Sequence, residues 1–246
     1  MTIRWLTVFV DLAGEKSEAA ERFWLAVTGT SPSARRGPDG AFVTLVPAHG
    51  DAHLRVQRVR SGDGGCHLDL HVDDLDEAGA HAENLGARER FREDGLIVFD
   101  SPGGFPFCLV RWDGETTVPN AVRFGGAGLS RPDQLCLDVP PDRYEAECAF
   151  WGSLTGWEVR AGSLPEFRFA GPNGMPVRLL FQRLENGGGA VSGHIDFSAQ
   201  DRAALADRHV AAGARIVATF PRWITLADPA GLLYCLTDPG SAELVG

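Results

Sequence analysis

The chain says nearly the same thing twice. Residues 64–74 read GGCHLDLHVDD and residues 191–201 read VSGHIDFSAQD, with their histidines 127 positions apart. The same offset pairs FVDL (9–12) with CLDV (136–139), FWLAVTG (23–29) with FWGSLTG (150–156), LGA (85–87) with AGA (212–214), and DSPGGFPFCL (100–109) with ADPAGLLYCL (227–236). LRVQRV (54–59) matches LLFQRL (179–184) at an offset of 125, so the loops between have changed length slightly. An offset held along the whole chain means a tandem duplication. It restricts the fold to one that about 120 residues can build twice. The intervening DGETTVPNAVRFGGAGLSR (113–131) is rich in glycine and polar residues and reads as a linker between domains at 1–112 and 132–246.

Periodicity within each half supplies the elements. Residues 4–11 alternate as a strand does, and 15–28 carry Ala19, Ala20, Phe23, Trp24 and Val27 at helical spacing. AFVTLV, HLRVQRV and CHLDLHV read as strands. DDLDEAGAHAENLGA reads as a helix with an acidic start that stops at Gly86. GLIVFD and FPFCLVRW form a hairpin around SPGG. Each half is strand–helix–strands twice over, so the chain holds four βαβββ units in an α+β fold. Phe23, Trp24, Phe150 and Trp151 fall on the inner helix faces, as core.

Strand alternation sorts the repeated stretch into faces. Cys66, Leu68, Leu70 and Val72 share one face, and His67, Asp69 and His71 the other. In the second copy Ile195, Phe197 and Ala199 oppose His194, Asp196 and Ser198. The apolar face packs on helices. The polar face suits the wall of a cavity with wet access.

Composition excludes several classes. A formal charge of −10 repels phosphate backbones, which argues against nucleic acid as a partner. Lys16 is the sole lysine, so no Walker loop exists, and neither G-x-S-x-G nor G-x-G-x-x-G occurs. Five cysteines without a C-x-x-C pair form neither a disulfide framework nor a zinc ribbon. No segment approaches the roughly 20 apolar residues of a membrane span, and the N-terminal run has no signal-peptide pattern. The expectation is a cytoplasmic protein.

The F-W-x-x-x-T-G helix end, the H-[LI]-D strand before an acidic helix, and the [DS]-P-x-G turn into a final strand resemble the vicinal oxygen chelate superfamily. Its members include glyoxalase I, extradiol dioxygenases, fosfomycin-resistance proteins and bleomycin-binding proteins. The chain is most similar to glyoxalase-like domains in tandem, which implies cup-shaped mixed sheets. In metal-dependent members a divalent ion sits in the cup on ligands from four strands. The resemblance places those positions at Thr7, Gln57, His67 and Cys108 in the first half, and at Gln134, Gln182, His194 and Cys235 in the second. The histidines match the family's pattern. The usual glutamate does not, because cysteine replaces it in both copies.

These residues set the functional expectations. His194, Asp196, His67 and Asp69 are the candidate acid–base groups. Gln134, Gln182, Trp223, Cys235, Gln57 and Cys108 are the candidate ligand-binding groups; Trp223 has no aromatic counterpart in the first half and suits stacking on a planar molecule. The leading expectation is a small-molecule-binding protein of the glyoxalase/bleomycin-resistance type, working without a cofactor. The alternative is a metal-dependent lyase, isomerase or dioxygenase with Zn, Ni, Mn or Fe on His67 or His194. A tandem copy supplies internally the pair that single-domain relatives make from two chains, so a monomer or a homodimer is expected.

Overall fold

The computed structural model describes residues 1–60, 62–239 and 244. The first βαβββ unit is β1 (Ile3–Ala13), α1 (Ser17–Thr28), β2 (Ser31–Pro32), β3 (Phe42–Val46) and β4 (Leu54–Val59). The second is β5 (Gly65–Val72), α2 (Leu75–Asn84), β6 (Arg88–Glu93), β7 (Leu96–Asp100) and β8 (Pro106–Arg111). A short strand β9 (Val122–Arg123) follows. The third unit is β10 (Leu129–Val139), α3 (Tyr144–Thr155), β11 (Arg160–Ala161), β12 (Phe167–Ala170) and β13 (Arg178–Arg183). The fourth is β14 (Ser192–Ala199), α4 (Arg202–Ala211), β15 (Arg215–Thr219), β16 (Trp223–Ala227) and β17 (Leu233–Thr237). The α+β fold read from the repeat is the one observed. None of the described helices is long and apolar enough to cross a membrane.

Local chemistry sets the helix ends. The acid that closes the repeated phrase is an N-cap: Asp74 accepts from the Glu77 N–H at 2.9 Å, and Asp201 from the Ala204 N–H at 2.9 Å. The T-G that ends FWLAVTG and FWGSLTG is a left-handed C-cap, with φ 63° at Gly29 and 73° at Gly156.

Two mixed sheets result. The first runs β2-β3-β4-β1-β5-β8-β7-β6 and the second β11-β12-β13-β10-β14-β17-β16-β15, with β9 on β10. In each, one pair is parallel and brings the repeated histidine strand beside the last strand of its half. Asp69 lies opposite Cys108, and Asp196 opposite Cys235.

Contacts group the chain into two compact units, and each draws on both halves of the repeat. One comprises Met1–Phe9, Cys66–Thr117 and Leu135–Gly193; the other comprises Val10–Gly65, Val118–Gln134 and His194–Gly246. The aromatic cores show why. In the first unit Trp151 of α3 meets Phe107 of β8 at 5.3 Å between ring centroids, edge-on, and Phe150 lies 5.9 Å from Phe107. In the second, Trp24 of α1 meets Tyr234 of β17 at 5.5 Å and Phe197 of β14 at 6.1 Å. Each such ring buries roughly 150–250 Å², so the F-W pair of one half is what covers the final hairpin of the other. Residues 113–131, read above as a linker, carry β9 and the start of β10.

Candidate functional site

His194, Asp196 and Cys235 form a cluster in the second unit. Alternation along β14 points His194 and Asp196 to the same face, and the parallel register sets Cys235 of β17 beside them. His194 Nε2 lies 3.3 Å from Asp196 Oδ1 and 3.5 Å from Cys235 Sγ. The other carboxylate oxygen, Oδ2, accepts from the Gln134 side-chain amide at 2.5 Å. The hydroxyl of Thr225, opposite Cys235 on β16, touches its sulfur at 3.4 Å. Burial pushes the Cys235 thiol pKa up, against the pull of the His194 contact. That is the reverse of an activated thiolate. One imidazole nitrogen serves both neighbours, so the three do not form a nucleophile–base–orienter relay, which needs both ring nitrogens.

The first unit repeats the set. His67 Nε2 lies 3.8 Å from Asp69 Oδ1, and the donor atoms of His67, Asp69 and Cys108 all fall within 4.8 Å of one another. Phe9 stacks on the His67 ring at 4.3 Å and 15°. Thr7, the counterpart of Gln134, bonds His71 Nε2 at 2.9 Å rather than the aspartate. His71 Nδ1 in turn lies 3.5 Å from Glu115 Oε1. The two copies have thus kept His, Asp and Cys and changed what holds them.

The wet polar face expected of these strands is not what forms. Asp69 is 4 % exposed, Asp196 2 % and Ser198 2 %. Two of them find partners on β10: Ser198 donates to Asp133 at 2.7 Å, and Asp196 Oδ2 accepts from Gln134. The histidines are the most open members, with 13 % and 12 % of their side chains exposed. Cysteine stands at the usual glutamate position in each half, and the acid beside each histidine is the aspartate of its own strand, Asp69 or Asp196. The H-x-D spacing carried that signal.

Other sequence candidates lie elsewhere. Gln182 sits on β13 in the first unit, where it accepts from the Cys136 thiol at 3.7 Å. Gln57 is half-buried on β4 of the second unit, opposite Phe42. Trp223 begins β16 on the face of Thr225, and its ring stacks on Phe220 at 4.7 Å and 26°. Thr225 went unread in the sequence; its place two residues beyond Trp223 on one strand face was the available cue.

The glyoxalase-like domain model matches the chain twice, at residues 7–110 and 134–237. The chain belongs to the glyoxalase-like domain family. It is a tandem pair of vicinal oxygen chelate domains. Solved structures of similar fold include a Mn(II)-bound glyoxalase from Novosphingobium aromaticivorans, at TM-score 0.67 and 18% identity over 96% of this chain and 81% of that one. Another is a homoprotocatechuate 2,3-dioxygenase variant from B. fuscum in complex with HPCA, at 0.66 and 16% over 97% and 72%. The 2,3-dioxygenase LapB from Pseudomonas sp. KL28 matches at 0.69 and 14% over 99% and 94%. Identities this low establish the fold. No curated protein matches the chain.

Proposed function

We propose that this glyoxalase-like protein holds a divalent cation of the zinc class on His194, Asp196 and Cys235, and uses it on a small oxygen-bearing organic molecule as a lyase or isomerase would. One observation carries the reading: a single imidazole nitrogen faces a carboxylate oxygen at 3.3 Å and a thiol sulfur at 3.5 Å. A lone N–H or lone pair serves one of these, not both. Nitrogen, oxygen and sulfur ligands arranged tetrahedrally around zinc stand about 3.4 to 3.6 Å apart, given its usual bond lengths. The donor set fits zinc better than the iron of oxygenases, which takes two histidines and one carboxylate. When bound, such an ion polarises a carbonyl or hydroxyl oxygen of the substrate.

The chain's own groups prepare the site. The Gln134 amide holds Asp196 by its second oxygen, and the Thr225 hydroxyl rests on the cysteine sulfur. The buried Cys235 thiol keeps its proton until a cation displaces it, so uptake releases acid. His67, Asp69 and Cys108 form the first unit's copy, with a longer histidine–aspartate separation of 3.8 Å.

Elemental analysis of untagged protein, purified without chelator and then titrated with zinc, tests the reading. Near-stoichiometric metal in the wild type, lost in His194→Ala and in Cys235→Ser but kept in His67→Ala, supports it. Wild-type protein that takes up no cation sinks it and returns metal-free binding of a small molecule to first place.

A further inference from the structure

Four asparagines occur in the chain, and two of them precede glycine: Asn173 before Gly174 and Asn186 before Gly187. Asparagine is among the thermolabile residues, because its side-chain amide carbon lies within reach of the next residue's main-chain nitrogen. Glycine in that next place has no Cβ to hold the nitrogen away. Both pairs are exposed loop residues of the first unit.

Their surroundings differ. Asn173 and Gly174 form the turn between β12 and β13, beyond the last paired residues, Ala170 and Leu179. Gly174 has φ +92°, and a Cβ built there meets nothing within 4 Å. Among the described residues no hydrogen bond holds the Gly174 N–H or the Asn173 side-chain amide. That nitrogen is open to water and free to turn. Gly187, by contrast, is pressed against its neighbours: a Cβ there would stand 2.9 Å from Pro141 Cδ and 3.0 Å from Pro140 Cα. Its loop is also tied at both ends, by the Leu184 N–H to the Val139 carbonyl at 3.0 Å and by the Val191 N–H to the Gly103 carbonyl at 2.9 Å. The other two asparagines precede bulkier, better-held residues. Asn84 precedes Leu85, whose N–H bonds the carbonyls of His81 and Ala82, and Asn120 precedes the buried Ala121.

We infer that Asn173 is a site of intrinsic covalent modification, where the folded chain turns a side-chain amide into an acid without an enzyme, and that packing at Gly187 protects Asn186 from the same fate. The Gly174 nitrogen gives its proton to solvent base and bonds to Asn173 Cγ. The Cγ–Nδ2 bond breaks, and Nδ2 leaves with a proton as ammonia. Water then opens the cyclic imide at one of its carbonyls. Opening at Cγ gives aspartate. Opening at the main-chain carbonyl gives isoaspartate, with the chain rerouted through the former side chain. No oxidant or reductant takes part. Either product places a new carboxylate in the β12–β13 turn, and isoaspartate also lengthens the turn's backbone by a methylene.

The test warms the full-length protein at mildly alkaline pH in heavy-oxygen water, digests it with trypsin in ordinary water and reads the peptides by mass spectrometry. Asn173 and Asn186 fall in separate peptides, 169–178 and 184–202. The expected result is a single heavy oxygen gained in 169–178, as aspartate and isoaspartate together, severalfold faster than in 184–202. The rate should rise with pH, since the attacking nitrogen must lose its proton. In urea, where the packing at Gly187 is gone, the two rates should converge. Peptide 169–178 that stays unlabelled in the folded protein overturns the inference, as does labelling of 184–202 at an equal or greater rate. A gap that persists unchanged in urea overturns it too, because local sequence rather than the fold would then set the difference.

Discussion

The indole N–H of Trp24 donates to Asp228 Oδ2 at 2.9 Å, both groups buried in the second unit. Trp151, the repeat-mate of Trp24, donates to Glu147 Oε1 at the same distance in the first unit. The acceptor has changed address. Asp228 sits in the turn and also accepts from the backbone of Ala230, Gly231 and Leu232 through Oδ1. Glu147 sits one helical turn before its tryptophan and reaches the turn from outside, accepting from the Gly103 N–H at 2.8 Å. By repeat position Ala20 stands where Glu147 does, Ser101 where Asp228 does, and Ala230 where Gly103 does. Gly103 must be glycine, because a Cβ there would meet Glu147 Oε2 at 2.5 Å. Each copy is a matched set.

Breaking a set costs more than changing it whole. Asp228→Ser leaves the buried Trp24 N–H and the turn amides short of acceptors, and should lower stability by about 2–4 kcal/mol. Adding Ala20→Glu and Ala230→Gly reproduces the first unit's arrangement and should recover at least half of the loss. Urea unfolding of the single, double and triple variants measures this. A triple variant no better than Asp228→Ser would show that the two arrangements are not interchangeable.

Gly103→Ala tests the same packing from the other side. The added methyl runs into Glu147 and into Val191 Cγ2, also 2.5 Å away. Overpacking of this kind costs about 1–3 kcal/mol. In a Glu147→Ala background half of the clash is gone, so the penalty for Gly103→Ala should shrink by 1 kcal/mol or so. Chemical denaturation of the four proteins gives the coupling; additive penalties would refute it.

These sets were legible only in part. FWLAVTG against FWGSLTG showed the tryptophans as core and placed the units that carry them. What receives the indole proton depends on which hairpin each helix covers, and a helix of one half covers the hairpin of the other. That pairing is a matter of chain path between units, to which local periodicity is blind. The same limit applies at the site. H-x-D and the final-strand cysteine stood in the sequence, and the parallel register of β14 with β17 is what joined them. Burial of the polar strand face was missed because its partners, Gln134 for Asp196 and Asp133 for Ser198, come from β10, some sixty residues away.

Acid should destabilise the protein through two buried histidines. Burial lowers the pKa of His53 and of His209 from 6.5 to about 4. Between those values the unfolded chain binds the proton and the folded chain does not, so stability falls as pH drops from about 6.5 to about 4. Each shift corresponds to roughly 3 kcal/mol over that window. His209 Nδ1 is bonded to the Tyr234 hydroxyl at 3.0 Å, so His209→Phe is best made with Tyr234→Phe. The double variant should lose about half of the acid slope. A slope unchanged in it would assign the acid response to other groups.

The buried carboxylates act in the opposite sense. Burial raises the pKa of Glu147 and of Asp228 despite the donors around them. Above its ordinary pKa an unfolded carboxyl has lost its proton, while the folded one still holds it. Each therefore contributes stability at acid pH that is lost as pH rises through its folded value. Glu147→Gln fixes the neutral form and should flatten that part of the profile, leaving the histidine slope below about pH 6.5 intact. Stability curves between pH 4 and 8 read the difference, and parallel curves for the two proteins would mean that Glu147 ionises normally.

Gln134 gives the sharpest handle on the second cluster, because the first half has Thr7 in its place and Thr7 bonds a different residue. Its amide is the donor that holds Asp196 Oδ2. Gln134→Leu removes that donor from a buried carboxylate, which should cost about 1–3 kcal/mol of stability. If Asp196 also holds a cation through its other oxygen, losing the group that orients it should weaken zinc binding by about 10- to 100-fold. The two effects separate by experiment. Competition with a chromophoric chelator measures the affinity under conditions where the variant is fully folded, and Gln134→Glu serves as the control. That variant fills the same space but places a second acid against Asp196, so it should destabilise the metal-free protein more than leucine does and lose part of the deficit when zinc is added. Equal zinc affinity in wild type and Gln134→Leu would confine Gln134 to stability alone.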